Sequence, residues 1–559
     1  MENSASWKLR LLGPLGKALE HFCTCRLEKM DFGALLEPYR QKSGPAAGAD
    51  VLLWGAVVNA GIVANHFLNH GALDDKLRKS VADMMALQSE NGCISAYSEN
   101  QQLQQWDVAS RRNTLNALLR AYHFMGKDEK IKECCVRMLE HFMTQVGDNK
   151  RSILHCGKIG GLDSSAMLDA VVGVWHITHQ RNFLGFARYI ADMGFSQQHN
   201  VLDALETGLS PSELGNGNAV WLNACFQGLA ELSLIDTELS PRWRNRCRLY
   251  FDKLTAEELF ITGTGGGFTE EGSTWCRGAL AQTAESCRGG KFGNSAVTTS
   301  CIKLFDALHR AALSSMPAAW AERSCYNALL GAWDPGKCLW GYETPGPLTG
   351  ACRKEYRPMD NGIDFYNFAA AEGLLYAPLL AATPLPGRGI QINFYEDMTI
   401  ELPGGSVVKV RGDHPLSNFA KVTIKSRGKF TISLRVPEYC TGVYYEDCLL
   451  KSEKNSYLTI SRHWSEDETL TLKFDPKVRE VESPDKSPFV ALMRGPLVLT
   501  EAVSEEEAPP AEYLNKLQYN KRTLIDYASA GRPLNNYAPF KVWFPKQLPK
   551  YLFHYFDYD

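Results

Sequence analysis

From residue 12 to about 382 one pattern repeats, apolar residues three and four apart, and it leaves few folds open. Twelve segments carry it: 12–30, 51–70, 74–90, 107–125, 127–146, 163–179, 182–195, 216–234, 240–255, 294–313, 316–331 and 364–380. Leu115, Leu118, Leu119 and Tyr122 are typical of the spacing. Connectors as short as Gly126-Lys127-Asp128 and His179-Gln180-Arg181 join such segments as antiparallel hairpins. Twelve helices in six hairpins predict an (α/α)6 barrel of inner and outer helices. The loops at one end of its inner ring would surround a shared cavity. The longest irregular stretches, 255–293 and 333–363, are then the candidate site loops, because long structured loops usually carry function.

Near residue 385 the texture changes. Pro384-Leu385-Pro386-Gly387 reads as a linker, and after it the period drops to two. Phe430, Ile432, Leu434 and Val436 alternate with Thr431, Ser433 and Arg435, as a half-buried strand requires. Thr469–Phe474 and Val490–Thr500 continue the strand pattern. The fold class expected is therefore α+β and multidomain: an (α/α)6 barrel over 1–385, an antiparallel β-sandwich over 386–502, and a C-terminal segment, 503–559, packing on both. Its acidic start, VSEEEAPPAE, reads as a solvated linker, and its aromatic end, YLFHYFDYD, as a packing segment.

Charge narrows the partners. With 60 Lys and Arg against 63 Asp and Glu, the net charge of -3 is close to neutral for 559 residues, and there is no basic tract. Nucleic acid and anionic membrane are poor partners for such a chain. No apolar run is expected to reach the ~18 residues of a membrane span. The N-terminus lacks the apolar core and cleavage site of a secretory signal. The sixteen cysteines are scattered without CxxC spacing, and Cys23/Cys25 and Cys134/Cys135 read as helix packing residues. Reduced thiols without a signal predict a cytoplasmic protein.

The chemistry-bearing stretch is Ile261–Cys287. Gly263, Gly265, Gly266 and Gly267 open it, the adjacent acids Glu270 and Glu271 follow, and it closes on Glu285-Ser286-Cys287. Clustered glycines call for an unusual backbone path, and acids with a nearby thiol suggest a site rather than a connector.

Several motifs in order resemble glycoside hydrolase family 127, the β-L-arabinofuranosidase-type enzymes. They are Leu35-Leu36 with Tyr39-Arg40, Leu87-Gln88 with Asn91-Gly92, Trp106-Asp107 with Leu115 to Gly126, Glu322-Arg323 with Tyr326-Asn327, Leu434-Arg435-Val436-Pro437, and Arg494-Gly495-Pro496-Leu497-Val498. The resemblance spans nearly the whole chain and implies the same barrel with appended β-sandwich domains. It further implies a zinc ion held by one glutamate and three cysteines, one of them the nucleophile, with a second glutamate as general acid/base. Glu285 and Cys287 match one glutamate and one cysteine of that zinc set, and Glu270 or Glu271 falls where the acid/base belongs. The adjacent Cys-Cys pair is missing, since the segment from Arg357 to Asp364 reads RPMDNGID, and Cys352 stands alone several residues earlier. Family histidines that touch the sugar are replaced by Asn113 and Asn218, and a third by the Gly160-Gly161-Leu162-Asp163 region. The resemblance therefore implies a divergent member with a rebuilt site.

Hydrolysis of a glycosidic bond needs an acid for the leaving oxygen and a base or nucleophile on the other face. Glu270 or Glu271 is the candidate acid, against a merely solvated loop pair. Asp360 and Asp364 are candidates for the second role, against an ordinary Asp-Asn-Gly turn. Glu285 and Cys287 supply two of the three or four donors that zinc takes, so zinc is possible where Cys276 or Cys352 completes the set on folding, against a buried, inert Cys287. Asn113 and Asn218 offer the donors and acceptors that sugar hydroxyls require, against capping of a helix end. Arg112 (or Arg111) could read a carboxylated sugar, and Tyr342 and Trp275 are the candidate stacking rings. The expected function is a glycoside hydrolase acting on a small oligosaccharide or glycoside, with a lyase, an epimerase or a non-catalytic sugar-binding scaffold as alternatives. The expected partners are a carbohydrate substrate and, at most, a second copy of the chain as a homodimer.

Overall fold

A computed structural model describes residues 7–68, 71–269, 272–283, 293–312, 314–334, 339–340, 343–344, 352–353, 365–465, 467–502, 516–520, 522–531, 537–538 and 540–546. Within them are twelve helices of nine or more residues. In chain order they are α1 (Pro14–Cys25), α2 (Leu53–Leu68), α3 (Gly71–Met85), α4 (Asp107–Phe124), α5 (Glu129–Gln145), α6 (Leu168–Thr178), α7 (Arg181–Asp192), α8 (Ala219–Ile235), α9 (Ser240–Lys253), α10 (Ser295–Ala312), α11 (Ser315–Arg323) and α12 (Phe365–Ala381). The even-numbered helices pack on one another in sequence, α2 on α4, α4 on α6, α6 on α8, α8 on α10, α10 on α12, and α12 closes back on α2. Each odd-numbered helix from α3 to α11 backs the inner helix before it, and α1 packs on α12. This is the (α/α)6 arrangement that the helical period predicts.

Burial separates the two rings. On α8 nearly every residue is buried, whereas α7 and α5 bury one face, through Phe183, Phe186 and Ile190 and through Ile131, Met138 and Phe142. An inner helix buried all round accounts for one departure from expectation. Gly44–Leu68, a short helix running into α2, has a mean hydropathy of 1.6 and the length of a membrane span. It is 83% buried inside the barrel, so its apolarity serves the inner ring. Inner helices also meet closely: a Cβ on Gly55 of α2 would lie 2.4 Å from the Asn113 backbone of α4.

The β region divides differently from the expectation. One sheet runs, in spatial order, Lys8–Leu11, Met398–Leu402, Ser406–Arg411, Phe419–Lys425, Glu468–Phe474, Cys440–Tyr445 and Cys448–Leu450, all antiparallel. A four-stranded sheet runs Ser456–His463, Lys429–Val436, Gly389–Ile392 and Ala382–Pro384. Its Gly389–Ile392/Lys429–Val436 pair is parallel, so this region is not purely antiparallel. The buried rows of both sheets, including Ile400, Val408, Val422, Ile432 and Leu434, join one core continuous with the barrel. Val490–Thr500 lies in neither sheet. Its two strands, Phe489–Arg494 and Leu497–Ala502, form a third sheet with Arg479–Glu482, Lys516–Tyr519, Arg522–Asp526, Phe540–Lys541 and Trp543–Pro545. The boundary drawn at 502 therefore cuts through a sheet, and the N-terminal strand belongs with the sheet of residues 398–474. The acidic stretch 503–512 and the aromatic end 551–559 lie outside the described residues. Cys25 is disulfide-bonded rather than a free packing thiol, while Cys23, Cys134 and Cys135 are free and buried.

Buried polar groups join the β units to the barrel. On Lys429–Val436 the face opposite the apolar row is also buried, because Arg435 meets Glu322 of α11 at 2.6 Å and both are nearly solvent-free. Tyr439 donates to the same carboxylate at 2.9 Å, and Arg435 donates to the Asn393 carbonyl at 2.7 Å. Asn327 bridges to the third sheet, donating to the Pro496 carbonyl and accepting from the Val498 amide. Glu396 reaches the start of α1, accepting from the amides of Leu15 and Gly16 and from the Tyr326 hydroxyl. Breaking a buried pair strands a charge, so Glu322→Ala is expected to cost ~3–5 kcal/mol in chemical denaturation.

Burial, partly offset by these donors, raises the Glu396 carboxyl to about 7. A raised acid pKa means that the folded state holds a proton which the unfolded chain releases near its ordinary 4.5. This contribution is complete below that value and is lost as pH rises toward about 7. Denaturation midpoints measured across this window should show a downward slope in the native protein that Glu396→Gln flattens.

Candidate functional site

The first turns of α8, α10 and α12, with residues Ala49, Trp106 and Ile159 from the segments before α2, α4 and α6, frame a cavity of about 500 Å³. Val220, Trp221 and Ala224 of α8, Ala296, Thr299 and Ser300 of α10, and Ala369 of α12 line it, with Trp106 just before α4. Deeper along the axis the cavity narrows among Asn116, Arg120 and His123 of α4, Val172 and His176 of α6, Glu231 of α8 and Tyr376 of α12. Arg112, Asn113, Gln227, Lys303 and Glu372 line both parts. From Arg112 to Arg120 is roughly 12 Å of helix at ~1.5 Å per residue, so the polar lining forms a channel rather than a patch.

The charges at the neck are paired. Arg112 grips Asp169 with two hydrogen bonds, 2.9 Å from Nε and 2.6 Å from Nη2. Asn116 donates to the same carboxylate at 3.2 and 3.3 Å, and Gln227 at 3.4 Å. Lys303 and Glu372 meet at 2.5 Å. Glu231 is held by Arg310, which donates to Oε2 at 3.0 Å and also to Oε1. Each carboxylate described along this channel thus has a cationic partner, which leaves it little freedom to take or give a proton. Below them Arg120 donates to Asn59 at 2.9 Å, and burial with this nearby cation pushes His123 down to about 4.

The mouth is different in character. Trp106 and Trp221 lie with ring centroids 6.0 Å apart, tilted 32°, and Lys158 stands 5.2 Å over Trp106. Aromatic faces beside amides and hydroxyls suit a sugar, which is apolar on its C–H face and polar at its edge.

The glycine-rich stretch reaches this mouth by a strained path. Gly263 and Gly266 sit at φ +82° and +77°, and a Cβ on Gly263 would lie 2.7 Å from the Ser324 amide. The chain then forms a ribbon, Gly267–Thr269 paired with Gly272–Thr274, whose Ser273 lines the cavity. A bridge from Thr274 to Asn218 ties the ribbon to the start of α8. Glu258, fully buried, anchors its far end by accepting from the amides of Cys276 and Arg277 at 3.0 and 2.6 Å.

Among the expected binding residues, the structure brings Arg112, Asn113 and Asn218 to the cavity. Asn113 donates to the Leu52 carbonyl at 3.3 Å. Asn218 caps α8, accepting from the Trp221 amide, so it serves the helix end as well as the lining. Arg112 is engaged with Asp169, which leaves it less free to read a sugar carboxylate. Arg111 points elsewhere and pairs with Asp107 at 2.9 Å. Trp275 is a correction: it is buried, donating to the Tyr250 hydroxyl at 3.2 Å, and does not line the cavity. Trp106 and Trp221 occupy the place expected of it. Glu270, Glu271, Glu285, Cys287, Tyr342, Asp360 and Asp364 lie outside the described residues. Their described neighbours do approach the cavity: the ribbon flanks Glu270 and Glu271, α10 follows Cys287, and α12 follows Asp364. Among the described residues no group of three His, Cys, Asp or Glu could hold a metal.

Asp169, Gln227, Lys303 and Glu372 were not anticipated. Their signal is polar residues three or four apart on an otherwise apolar inner helix, as in Thr299, Ser300 and Lys303, or Glu372 and Tyr376.

Over this fold the chain superposes on solved glycoside hydrolases. A GH127 β-L-arabinofuranosidase from Geobacillus stearothermophilus T6 matches with a TM-score of 0.73 and 14% identity, covering 96% of this chain and 100% of that one. A second glycoside hydrolase matches at 0.73 and 15%, and another GH127 β-arabinofuranosidase at 0.74 and 13%, each covering 96% of both chains. At such identities the likeness establishes the fold. No family model matches the sequence, and no curated protein matches it. If Trp275 acts by packing, Trp275→Phe should lose about 1 kcal/mol of stability in denaturation, one hydrogen bond's worth, and leave sugar affinity in calorimetry unchanged.

Proposed function

We propose that this protein is a glycoside hydrolase that takes a small oligosaccharide or glycoside at the mouth of its helical barrel. One observation carries the reading: a cavity of about 500 Å³, edged by Trp106 and Trp221 and floored by Asn113, Gln227 and paired charges, in a barrel with the GH127 fold. Its size suits one or two sugar units. The sugar would lay its C–H face on the indoles and its hydroxyls among the amides.

Catalysis in this reading divides from binding. Asp169 and Glu372 are committed to Arg112 and Lys303, so they position the sugar rather than exchange protons with it. The acid is assigned to Glu270 or Glu271, which stand in sequence between the two ribbon strands beside Ser273. The opposing group is assigned to Asp360 or Asp364, in the segment leading into α12, whose Ala369 and Glu372 line the cavity. The separation of the two carboxyls would set the stereochemistry, ~5–5.5 Å for retention and ~6.5–9.5 Å for inversion.

Zinc-thiolate chemistry is not part of this reading. Glu285 and Cys287 are two donors, the segment from Arg357 to Asp364 contains no cysteine, and zinc takes three or four protein ligands. A non-catalytic sugar-binding protein is the second reading, favoured by the pairing of each described channel carboxylate.

A panel of aryl glycosides, β-L-arabinofuranosides included, tests the proposal. Hydrolysis should fall by roughly 10²-fold or more in either Glu270→Gln or Glu271→Gln and stay near wild type in the other. Activity that survives both substitutions rejects the acid assignment. Sugar binding without turnover of any substrate selects the second reading. Elemental analysis should find less than one zinc per chain, and a stoichiometric zinc would restore the thiolate mechanism.

A further inference from the structure

Away from the barrel mouth, a second small cavity lies where α11, the four-stranded sheet and the third sheet meet. Its volume is about 70 Å³. Three arginines line it, Arg323 from the end of α11, Arg435 from the strand Lys429–Val436 and Arg479 from Arg479–Glu482, together with Glu322, Glu438 and Tyr439.

The charges here do not balance. Arg435 is matched with Glu322 at 2.6 Å, and Arg479 reaches Glu438 at 2.7 Å. Arg323 makes no ion pair, and its guanidinium makes no hydrogen bond among the described residues; it lies 4.5 Å over the Trp320 ring. Burial, reinforced by the Arg479 cation and only partly offset by Glu438 and Glu322, pulls its pKa down to about 10. The nearby carboxylates Glu322 and Glu438 are already engaged by Arg435 and Arg479, so the half-buried Arg323 guanidinium shares its counter-charges, and an anion between Arg323 and Arg479 would balance the set. Three further buried atoms at the same cavity make no hydrogen bond: the Arg479 Nε donor, the Glu322 Oε1 acceptor and the Arg435 Nη2 donor, the last held only by its ion-pair contact with Glu322. The ligand that satisfies this set must accept from guanidinium groups and also donate one proton.

We propose that this junction binds a singly protonated phosphate group, with Arg323 and Arg479 donating to its oxygens and Glu322 accepting from its hydroxyl. A volume of about 70 Å³ admits one tetrahedral oxyanion but no nucleotide. Because its walls come from the barrel and two sheets, a bound phosphate ties three parts of the chain together. Binding to the folded state alone raises stability with ligand concentration.

The experiment is calorimetric titration of the full chain, in a phosphate-free buffer of constant ionic strength, with inorganic phosphate, glucose 6-phosphate and sulfate. Thermal unfolding is recorded in parallel. Saturable binding of inorganic phosphate with a rise in Tm is expected, about tenfold or more weaker in Arg323→Gln and in Arg479→Gln. Sulfate, which has no proton to give Glu322, should bind about tenfold more weakly than phosphate. Tighter binding of glucose 6-phosphate identifies a phosphorylated ligand, and binding of inorganic phosphate alone identifies the free ion; both support the site. Generic salting effects appear equally in wild type and variants. A response with no saturation, one unchanged in both variants, or equal affinity for sulfate overturns the proposal. Arg323→Lys, which keeps the charge without the fork, guards against misfolding of the glutamine variants and should retain weaker binding.

Discussion

The barrel carries charge along an axis enclosed by apolar packing, and the arrangement holds because those charges find partners across neighbouring inner helices. Arg112 of α4 reaches Asp169 of α6, Lys303 of α10 reaches Glu372 of α12, and Arg310 of α10 reaches Glu231 of α8. An unpaired ion at these depths would cost several kcal/mol, so each pair also locks two inner helices in register. The pairing shapes the chemistry. A carboxylate already accepting from Arg112, Asn116 and Gln227 is a poor acid or base, and a fixed array of amides and paired charges is a good surface for hydroxyl groups. The proposed division of labour, binding on the inner helices and proton transfer on the loops above them, follows from this constraint.

The β units act as a buttress on the side of the barrel. Glu322 and Arg435, Asn327 and Pro496, and Glu396 at the start of α1 are buried polar contacts between sheet and helix. Several motifs that carry the resemblance to GH127 meet at this joint: Glu322-Arg323 with Tyr326-Asn327, Leu434 to Pro437, and Arg494 to Val498. They hold architecture together rather than perform chemistry. Such joints are consistent with a chain that superposes over 96% of its length on solved structures only 13–15% identical to it.

The helical part of the fold was legible because twelve amphipathic or apolar segments with short connectors admit few closed arrangements. The β region was legible as strands, but its grouping was not. Lys8–Leu11 pairs with a strand nearly four hundred residues away, and Val490–Thr500 joins strands from the tail, neither of which leaves a local trace. In the candidate site, Asn113 and Asn218 were found through motif position, and Arg112 through its neighbourhood. Lys303, Glu372 and Gln227 looked like ordinary helix residues, since only ring closure reveals that their face is the axis. Trp275 misled for the opposite reason: its place in a site loop made it a candidate stacking ring, whereas it is buried and bonded to Tyr250.

The account rests on the barrel-mouth cavity being the place where a glycoside is bound and cleaved. The most direct measurement is turnover of an aryl glycoside, with sugar affinity measured alongside, in wild type and in Asn113→Ala and Trp221→Ala. The account predicts hydrolysis by the wild type and a loss of roughly tenfold or more in kcat/KM for both variants, with denaturation showing them folded. Hydrolysis unchanged by either substitution, or no hydrolysis and no sugar binding in the wild type, would contradict it.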